Sequence, residues 1–343
     1  MVSRPKSTQS FALEQVCSLA CNSDGSVFAF GSCNKQVFIW ERNGLRQTIA
    51  RAGIAAIYTV ALSPDGQIIA TGSESASMLL RSRDEKFKNK CKGDVGAMTS
   101  IAFSPDGKYI VAGRALWRSD GTPLLRKQFG ASAQFKPDSA SILCGPTRYD
   151  EGEQGVLLFE RSLQGELIRT FEGAGRSTVL AVSSDGMLVA AGTHSGEIHL
   201  WDGKGRQLWQ RQYSDGYSLT GLTIAPHGHC IASGGWGREE IQLWDRDGST
   251  LRALPGYRPR PHGNGLLFLP NGRLLALSEQ GVRLWNIDSG DSLELLCGSG
   301  NQWLVVDAQG RFDGSRAVIT EPPALPGITL KARAPGLLEA FMD

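Results

Sequence analysis

Short runs of alternating apolar and polar residues recur along the whole chain at a nearly constant interval. Tyr58–Ser63 is one such run, and the turn Pro64-Asp65-Gly66 separates it from a second apolar run, Gln67–Gly72. Alternation with a period of two predicts half-buried β-strands. Proline followed by Asp-Gly predicts a tight hairpin, because glycine adopts positive φ without a steric penalty. The segment therefore predicts two antiparallel strands joined by a short turn.

Similar turns recur about every 41 residues, and most are followed by a strand that ends in an aromatic residue. Third strands are predicted to end at positions 40, 80, 117, 159, 201, 244 and 285, so seven units follow one another at intervals of 37 to 43 residues. A period of this length with several short strands in each unit is typical of a β-propeller. We therefore predict an all-β, seven-bladed propeller over residues 12–300.

The two ends of the chain do not follow the repeat. Residues 1–11 are predicted to be an N-terminal segment, and residues 301–343 a closing hairpin and C-terminal tail. Within the latter, residues 302–314 predict an extra hairpin that either supplies a closing strand or packs across one face. Two interpretations also stay open for the apolar stretch Pro335–Asp343: it docks on its own propeller, or a partner recognises it as a peptide.

Two motifs resemble the WD40-repeat family. The Ser-Pro-Asp-Gly hairpins at 63–66 and 104–107 are similar to that family's first turn, and Trp201-Asp202 and Trp244-Asp245 match its Trp-Asp dipeptide. The sequence departs from the pattern in five units, where other residues replace this aspartate: Glu41, Arg81, Arg118, Glu160 and Asn286. The Gly-His pair of the family is largely missing as well. The resemblance, of a degenerate bacterial type, implies the propeller fold and says little about function.

Composition narrows the function classes. The net charge is +2 and no block of five or six like charges occurs, which weighs against a nucleic-acid-binding protein. The seven cysteines are odd in number and irregularly spaced, which argues against a disulfide framework and predicts small buried residues. The N-terminus lacks the apolar segment of a secretion signal, and no run approaches the ~18 apolar residues of a membrane span. We therefore predict a cytoplasmic protein without a membrane partner.

The sequence contains no pattern of a common catalytic or metal site. It has no phosphate-binding loop, no nucleophile elbow and no Cys/His cluster with zinc spacing. Asp245-x-Asp247-Gly248 matches only the start of a calcium loop and is better read as a turn between strands. The predicted first strands are small and apolar, so no group of acids is expected in the central channel. We expect no enzyme activity, no cofactor and no metal.

Three loops break the repeat and are rich in Trp, Tyr and Arg: residues 145–155, 234–240 and 256–265. Binding residues collect on loops held by a rigid scaffold, and these residue types are enriched at binding hot spots. The family's arrangement implies that the loops share one face. We hypothesise that seven of their residues form a patch for a protein segment, an acidic one among the candidates: Arg148, Tyr149, Trp236, Arg238, Tyr257, Arg258 and Arg260.

The predicted function is a non-catalytic scaffold, or a sensor or recruitment subunit of a multiprotein complex. It would bind partner proteins through the propeller loops and through the C-terminal tail if that tail is free. Two alternatives stay open. One is a small-molecule-binding or enzymatic propeller similar to quinoproteins or lactonases, since Leu200–Trp209 resembles a quinoprotein tryptophan motif. The other is a nucleic-acid-associated subunit, for which binding would depend steeply on salt.

Overall fold

The computed structural model describes residues 15–42, 46–49, 55–73, 77–84, 86–92, 100–130, 132–145, 156–173, 176–259, 264–279, 281–298, 302–315, 318–319, 323, 325 and 328–342. Their strands form six four-stranded sheets and one seven-stranded sheet, each built from consecutive strands. Neighbouring strands are antiparallel except for the final pair, which is parallel.

The strands follow one another in chain order. The first three sheets contain β1 Val16–Cys21, β2 Val27–Ser32, β3 Val37–Glu41 and β4 Arg46–Ile49; β5 Thr59–Leu62, β6 Ile68–Gly72, β7 Ser77–Ser82 and β8 Lys88–Lys92; β9 Ile101–Phe103, β10 Tyr109–Ala112, β11 Ala115–Arg118 and β12 Pro123–Leu125. The next three contain β13 Ala133–Phe135, β14 Ser141–Cys144, β15 Val156–Ser162 and β16 Leu167–Glu172; β17 Ser177–Val182, β18 Leu188–Thr193, β19 Glu197–Asp202 and β20 Gln207–Gln212; β21 Leu219–Ile224, β22 Cys230–Gly235, β23 Glu240–Asp245 and β24 Thr250–Pro255. The last sheet contains β25 Leu266–Phe268, β26 Leu274–Leu277, β27 Val282–Trp285, β28 Ser292–Cys297, β29 Trp303–Asp307, β30 Arg311–Gly314 and β31 Ala332–Arg333, and the helix α1 Leu337–Met342 follows.

The predicted repeat is confirmed as an all-β propeller. Each predicted third-strand end falls in the third strand of its sheet, and the recurring turns join the first and second strands. The predicted number of seven blades is not reached by the four-stranded sheets of the described residues. Six blades have four strands, whereas β25–β28 continue into β29–β31 within one larger sheet. The predicted hairpin at 302–314 causes this difference, because β29 pairs with the outer edge of β28.

The Asp-Gly turns are held by side chains as well as by glycine. In the second sheet, the Asp65 carboxylate accepts the Ser63 hydroxyl at 2.5 Å and the Gln67 N–H at 3.0 Å, and Gly66 has φ +70°. These hydrogen bonds, that from Ser63 first, lower the pKa of Asp65. The same bonds recur at Asp106 and Asp185. The Ser-x-Asp-Gly pattern thus specifies a turn that its own serine and aspartate stabilise.

Contacts between neighbouring sheets close the strands into a ring. The first strand of each sheet contacts the first strand of the next, and β25 contacts β1. Each boundary between neighbouring sheets is filled by one cluster of buried apolar residues. At about 25 cal/mol per Å² of buried apolar surface, these clusters supply most of the driving force for the fold. A single blade would leave both of its faces in water.

The boundary between the last and the first sheet is the one that α1 covers. Its cluster combines residues of β1–β3, of β25–β29 and of α1, where Leu337, Leu338 and Met342 are buried. The Asn271 side-chain amide donates to the Met342 carbonyl at 2.9 Å. Of the two interpretations of the C-terminal stretch, docking on its own propeller is therefore the one that the structure shows.

The cysteine prediction is wrong for one pair. Cys17 and Cys33 form a disulfide across the first hairpin, with their Cα atoms 6.3 Å apart. The register between β1 and β2 shifts between Val16 and Ser18, so Cys17 occupies a bulge and lies close to the loop after β2. The spacing of cysteines along the sequence does not reveal a bulge. The disulfide between Cys17 and Cys33 therefore could not be predicted from that spacing. The other cysteines are free, and all but Cys21 are buried.

One of the strand-ending tryptophans, Trp244, is held by a hydrogen bond to a serine. The Trp244 indole N–H donates to the Ser233 hydroxyl at 2.8 Å. In the preceding blade, the register places Ala191 where Ser233 lies, and the buried Trp201 indole N–H has no partner. The fifth blade thus retains the packing of its tryptophan but not this hydrogen bond.

Replacing this serine tests the energetic importance of the bond. We expect Ser233→Ala to lower the free energy of unfolding by about 1 to 3 kcal/mol, because it leaves a buried indole N–H without an acceptor. We expect the converse change, Ala191→Ser, to raise it by about 1 kcal/mol by supplying an acceptor for Trp201. Urea unfolding of both variants measures the two changes, and equal effects of the same sign would contradict this account.

The docking of α1 predicts a large loss of stability when its apolar contacts are removed. We expect Leu338→Ala to cost about 2 to 5 kcal/mol, because the side chain is 2% exposed and its removal leaves a cavity at the boundary between the last and first sheets. Leu251→Ala is the matched control: that side chain is 55% exposed, so the expected change is within about 0.5 kcal/mol. Chemical unfolding followed by tryptophan fluorescence compares them.

Candidate protein-binding face

The loops on one side of the ring connect second strands to third strands and fourth strands to the next blade. Three of them, between β20 and β21, between β22 and β23, and after β24, lie next to each other. We call their described residues, 213–218, 236–239 and 256–259, the loop face. The Asp-Gly turns lie on the opposite side, because antiparallel strands alternate the ends at which they connect.

Main-chain hydrogen bonds join the three loops. The Trp236 N–H donates to the Ser218 carbonyl at 3.1 Å, which connects the first loop to the second. The Gly256 N–H donates to the Glu239 carbonyl at 2.7 Å, which connects the second loop to the third. The loop face is therefore one continuous surface over the fifth, sixth and last sheets, and its parts are fixed relative to one another.

Two aromatic side chains stand exposed on this surface. Tyr217 is 54% exposed and Trp236 is 42% exposed, although both are large and mostly apolar. The ring of Tyr217 lies against Gly237, where an added Cβ would come within 2.7 Å of it. Gly237 also has φ +84°, a conformation that favours glycine. The glycine therefore holds the turn after Trp236 and leaves space for the tyrosine ring.

Arg238 lies beside these aromatics and is held by two neighbours. Its guanidinium carbon is 5.5 Å from the ring centroid of Tyr213, and its Nη1 is 3.2 Å from Glu240 Oε1. Tyr213 is buried and donates its hydroxyl to the Glu240 carbonyl at 2.7 Å; burial, the main cause, raises the pKa of Tyr213 to about 12. Arg238 is thus a positioned and partly neutralised cation that remains 47% exposed.

Arg258 is the second described arginine of the predicted patch. Its side chain is 45% exposed, and its Nη1 lies 3.8 Å from Glu279 Oε1. Its backbone N–H donates to the Leu277 carbonyl at 3.0 Å, which fixes the segment against β26. Both arginines therefore face a carboxylate of the same protein, which reduces the positive charge that the loop face offers to an acidic ligand.

Tyr257 does not belong to the surface, and its inclusion in the predicted patch is wrong. The residue is 1% exposed, and its hydroxyl forms a 2.9 Å hydrogen bond with the Thr220 hydroxyl. Its ring packs against Gly234, where an added Cβ would lie 2.6 Å away. The glycines of this region were predicted to belong to exposed loops. They instead leave space for the buried ring of Tyr257 between the sixth and last sheets.

The structure keeps Trp236, Arg238 and Arg258 on one surface and adds Tyr217, which the sequence interpretation missed. Tyr217 lies in the connection between β20 and β21, which is not one of the three loops that break the repeat. One sequence signal points to Tyr217: the turn residues Asp215-Gly216 stand directly before this aromatic residue, in a connection between two blades. Three predicted residues, Arg148, Tyr149 and Arg260, lie outside the described residues.

No group of three or more His, Cys, Asp or Glu side chains is arranged to hold a metal ion within the described ranges. The acidic segment once compared with a calcium loop is a turn: the Asp245 carboxylate accepts the N–H groups of Asp247 and Ser249 at 3.0 and 2.9 Å. With His227 and His229 it lines an open depression on the side of the Asp-Gly turns.

Comparison with known families agrees with this architecture. The WD domain, G-beta repeat family matches residues 6–41, 50–80, 85–123 and 165–202. The chain contains four WD40 repeats within its β-propeller. No curated protein matches its sequence. The WD40 matches correspond to the first, second, third and fifth sheets, and the loop face lies C-terminal to all four of them. In the part of the chain that the structure describes, no helix is long and apolar enough to cross a membrane.

The packing of Tyr217 on Gly237 predicts a difference between two glycine substitutions. We expect Gly237→Ala to destabilise the protein by about 1 to 2 kcal/mol more than Gly216→Ala. Both glycines have positive φ, so both changes carry a backbone cost, but an added Cβ meets the Tyr217 ring only at Gly237 and finds open space at Gly216. Thermal unfolding and tyrosine fluorescence would measure this; equal losses would show that Tyr217 does not depend on Gly237.

Proposed function

We propose that this WD40 propeller is a non-catalytic scaffold, a sensor or recruitment subunit that binds a partner protein through its loop face. WD40 propellers commonly bind other proteins. The observation that carries the proposal is the pair of exposed aromatics, Tyr217 and Trp236, on loops that are hydrogen-bonded to each other. Exposed aromatic side chains on a rigid surface lose little conformational entropy on binding and bury a large area.

The contacts of the arginines refine the kind of partner. Arg238 and Arg258 already face Glu240 and Glu279, so a purely acidic ligand would compete with internal carboxylates. A partner that places an apolar or aromatic side chain between Tyr217 and Trp236, and that hydrogen-bonds to the arginines at the rim, fits this surface better than a purely acidic ligand. Such a centre with a polar rim is the usual anatomy of a protein interface.

We also propose how the chain is divided. The first four strands of the last sheet, β25–β28, would be the seventh blade, and residues 12–300 would be the propeller. Residues 301–343 would be an appended closing segment, and residues 1–11 would precede the ring. The contacts of β25 with both β21 and β1 support this division, since a seventh blade must neighbour the sixth and the first. A cytoplasmic location and a bacterial origin stay predictions.

Loss of the aromatic and basic side chains tests the proposed function. We expect Trp236→Ala with Arg258→Ala to weaken partner binding by roughly thirtyfold or more, because hot-spot residues contribute at least about 2 kcal/mol. Affinity purification from the native host with quantitative mass spectrometry identifies the partner, and titration calorimetry with that purified partner measures the change.

The control places the same kind of change on the opposite side of the ring. Met187 is 59% exposed beside the Asp185-Gly186 turn, so Met187→Ala removes an exposed apolar side chain without touching the loop face. We expect the control to bind like the unaltered protein. Unchanged affinity of the Trp236/Arg258 double variant for the identified partner would refute the proposed function.

A further inference from the structure

A row of lysines occupies one face of β8, the outermost strand of the second blade. Lys86, Lys88, Lys90 and Lys92 follow one another at every second residue, and all four are exposed. In a strand, residues two apart lie on the same face about 6.6 to 6.8 Å from each other. Lys88, Lys90 and Lys92 therefore lie on one face of β8, and Lys86 precedes the strand in the same alternation; we call these four residues the lysine ladder. The lysines do not form a continuous block of like charges in the sequence, because Phe87, Asn89 and Cys91 alternate with them.

The intervening residues anchor the strand from its other face. Phe87 packs against the cluster between the second and third blades. The Asn89 side-chain amide donates to the Asp120 carbonyl at 3.0 Å, and the Cys91 thiol lies 3.6 Å from the Gly121 carbonyl. These contacts fix the orientation of β8, so the lysines are held on the face directed away from the third blade.

The charge around this strand is unlike that of the rest of the chain. Residues 81–92 contain six basic and two acidic residues, a net charge of +4, whereas the whole chain has a net charge of +2. Lys86 Nζ lies 3.0 Å from Asp84 Oδ2, with both side chains more than half exposed. Exposed pairs of this kind contribute little energy. The ladder is therefore a local basic surface on a nearly neutral molecule.

The last sheet of the same protein shows what can cover such an edge. Among the described strands, β8 pairs only with β7, so its other side is the edge of the blade. The corresponding strand of the last sheet, β28, pairs with β29 over Leu293–Cys297 and Trp303–Asp307. In that sheet both the outer strand, β28, and the strand added to it, β29, are mostly apolar. The propeller thus accepts a fifth strand at the outer edge of a blade.

We propose that the outer edge of β8 binds an extended acidic polypeptide segment as an added strand, with carboxylates at alternate residues facing the lysine ladder. Backbone pairing would supply affinity, and the lysines would select the charge pattern. The spacing of alternate side chains is the same in both strands, so each carboxylate meets one lysine. This interaction is separate from the loop face and goes beyond the function proposed above.

The surroundings favour a polypeptide over a single-stranded nucleic acid. Proteins that bind single strands combine basic grooves with exposed aromatic rings on which bases stack. The aromatic residue of this strand, Phe87, packs against the core, and no large exposed aromatic side chain lies in the described residues 77–92. An edge strand, in contrast, offers backbone N–H and C=O groups in the pattern that another strand requires.

Fluorescence anisotropy with labelled peptides tests the proposal on the full chain. The probe is a peptide of alternating glutamate and valine, and the comparison peptide has the same sequence with N-methylated backbone amides on the pairing side. We expect the first to bind and the second to bind at least roughly tenfold more weakly, because it keeps the charges but cannot form the ladder of hydrogen bonds. A labelled oligonucleotide forms the third arm.

Two variants with the same change in net charge complete the experiment. Replacing Lys88, Lys90 and Lys92 with glutamine is expected to weaken peptide binding roughly tenfold. The control replaces the exposed Lys108, Lys204 and Arg206 with glutamine and is expected to bind like the unaltered protein. Circular dichroism checks that both fold.

Three outcomes would overturn the proposal. Equal binding of the N-methylated peptide would mean attraction between charges without strand addition. Tighter binding of the oligonucleotide than of the peptide would assign the ladder to nucleic acid. Absence of peptide binding would mean that the lysines only keep the edge strand from pairing with other chains.

Discussion

The structure depends on one packing constraint: every sheet must bury both of its faces against neighbours, and only a closed ring provides neighbours for all of them. The single apolar cluster at each boundary is the physical form of that constraint. Among the described strands, none is exchanged between the first and the last sheet, since each sheet contains consecutive strands. Closure therefore rests on side-chain packing, and α1 adds apolar surface where backbone pairing across the boundary is missing.

A ring closed in this way leaves two kinds of surface for binding. The loops carry residues that packing does not constrain, and there Tyr217 and Trp236 stand exposed next to positioned arginines. In an outer strand, packing constrains mainly the residues that face the neighbouring sheet. The residues on the other face can vary, and in β8 they are lysines. The two surfaces differ in chemistry, one aromatic and one basic, so they are suited to different partners.

The fold could be predicted from the sequence because its signals are local. The Ser-x-Asp-Gly turns are stabilised by their own side chains, and the strand-ending tryptophans recur at a fixed interval. The candidate site was harder to predict, because the sequence does not show which side chains pack against the glycines of these loops. The glycines near Tyr257 enclose a buried ring, whereas Gly237 lies against the exposed ring of Tyr217. The Cys17–Cys33 disulfide depends on a bulge in β1, and the size of the last sheet depends on the pairing of β28 with β29. Neither feature follows from the periodicity of the sequence.

The boundary that α1 covers also has a consequence for biosynthesis. Its cluster joins residues 16–40, made first, to residues 267–342, made last. Blades with local contacts can form while the chain emerges from the ribosome, but one face of the first blade must wait for the whole ring. During that time Phe28, Phe30 and Trp40 would lack the apolar partners that the last sheet and α1 supply, so this face of the first blade stays in water until the ring closes.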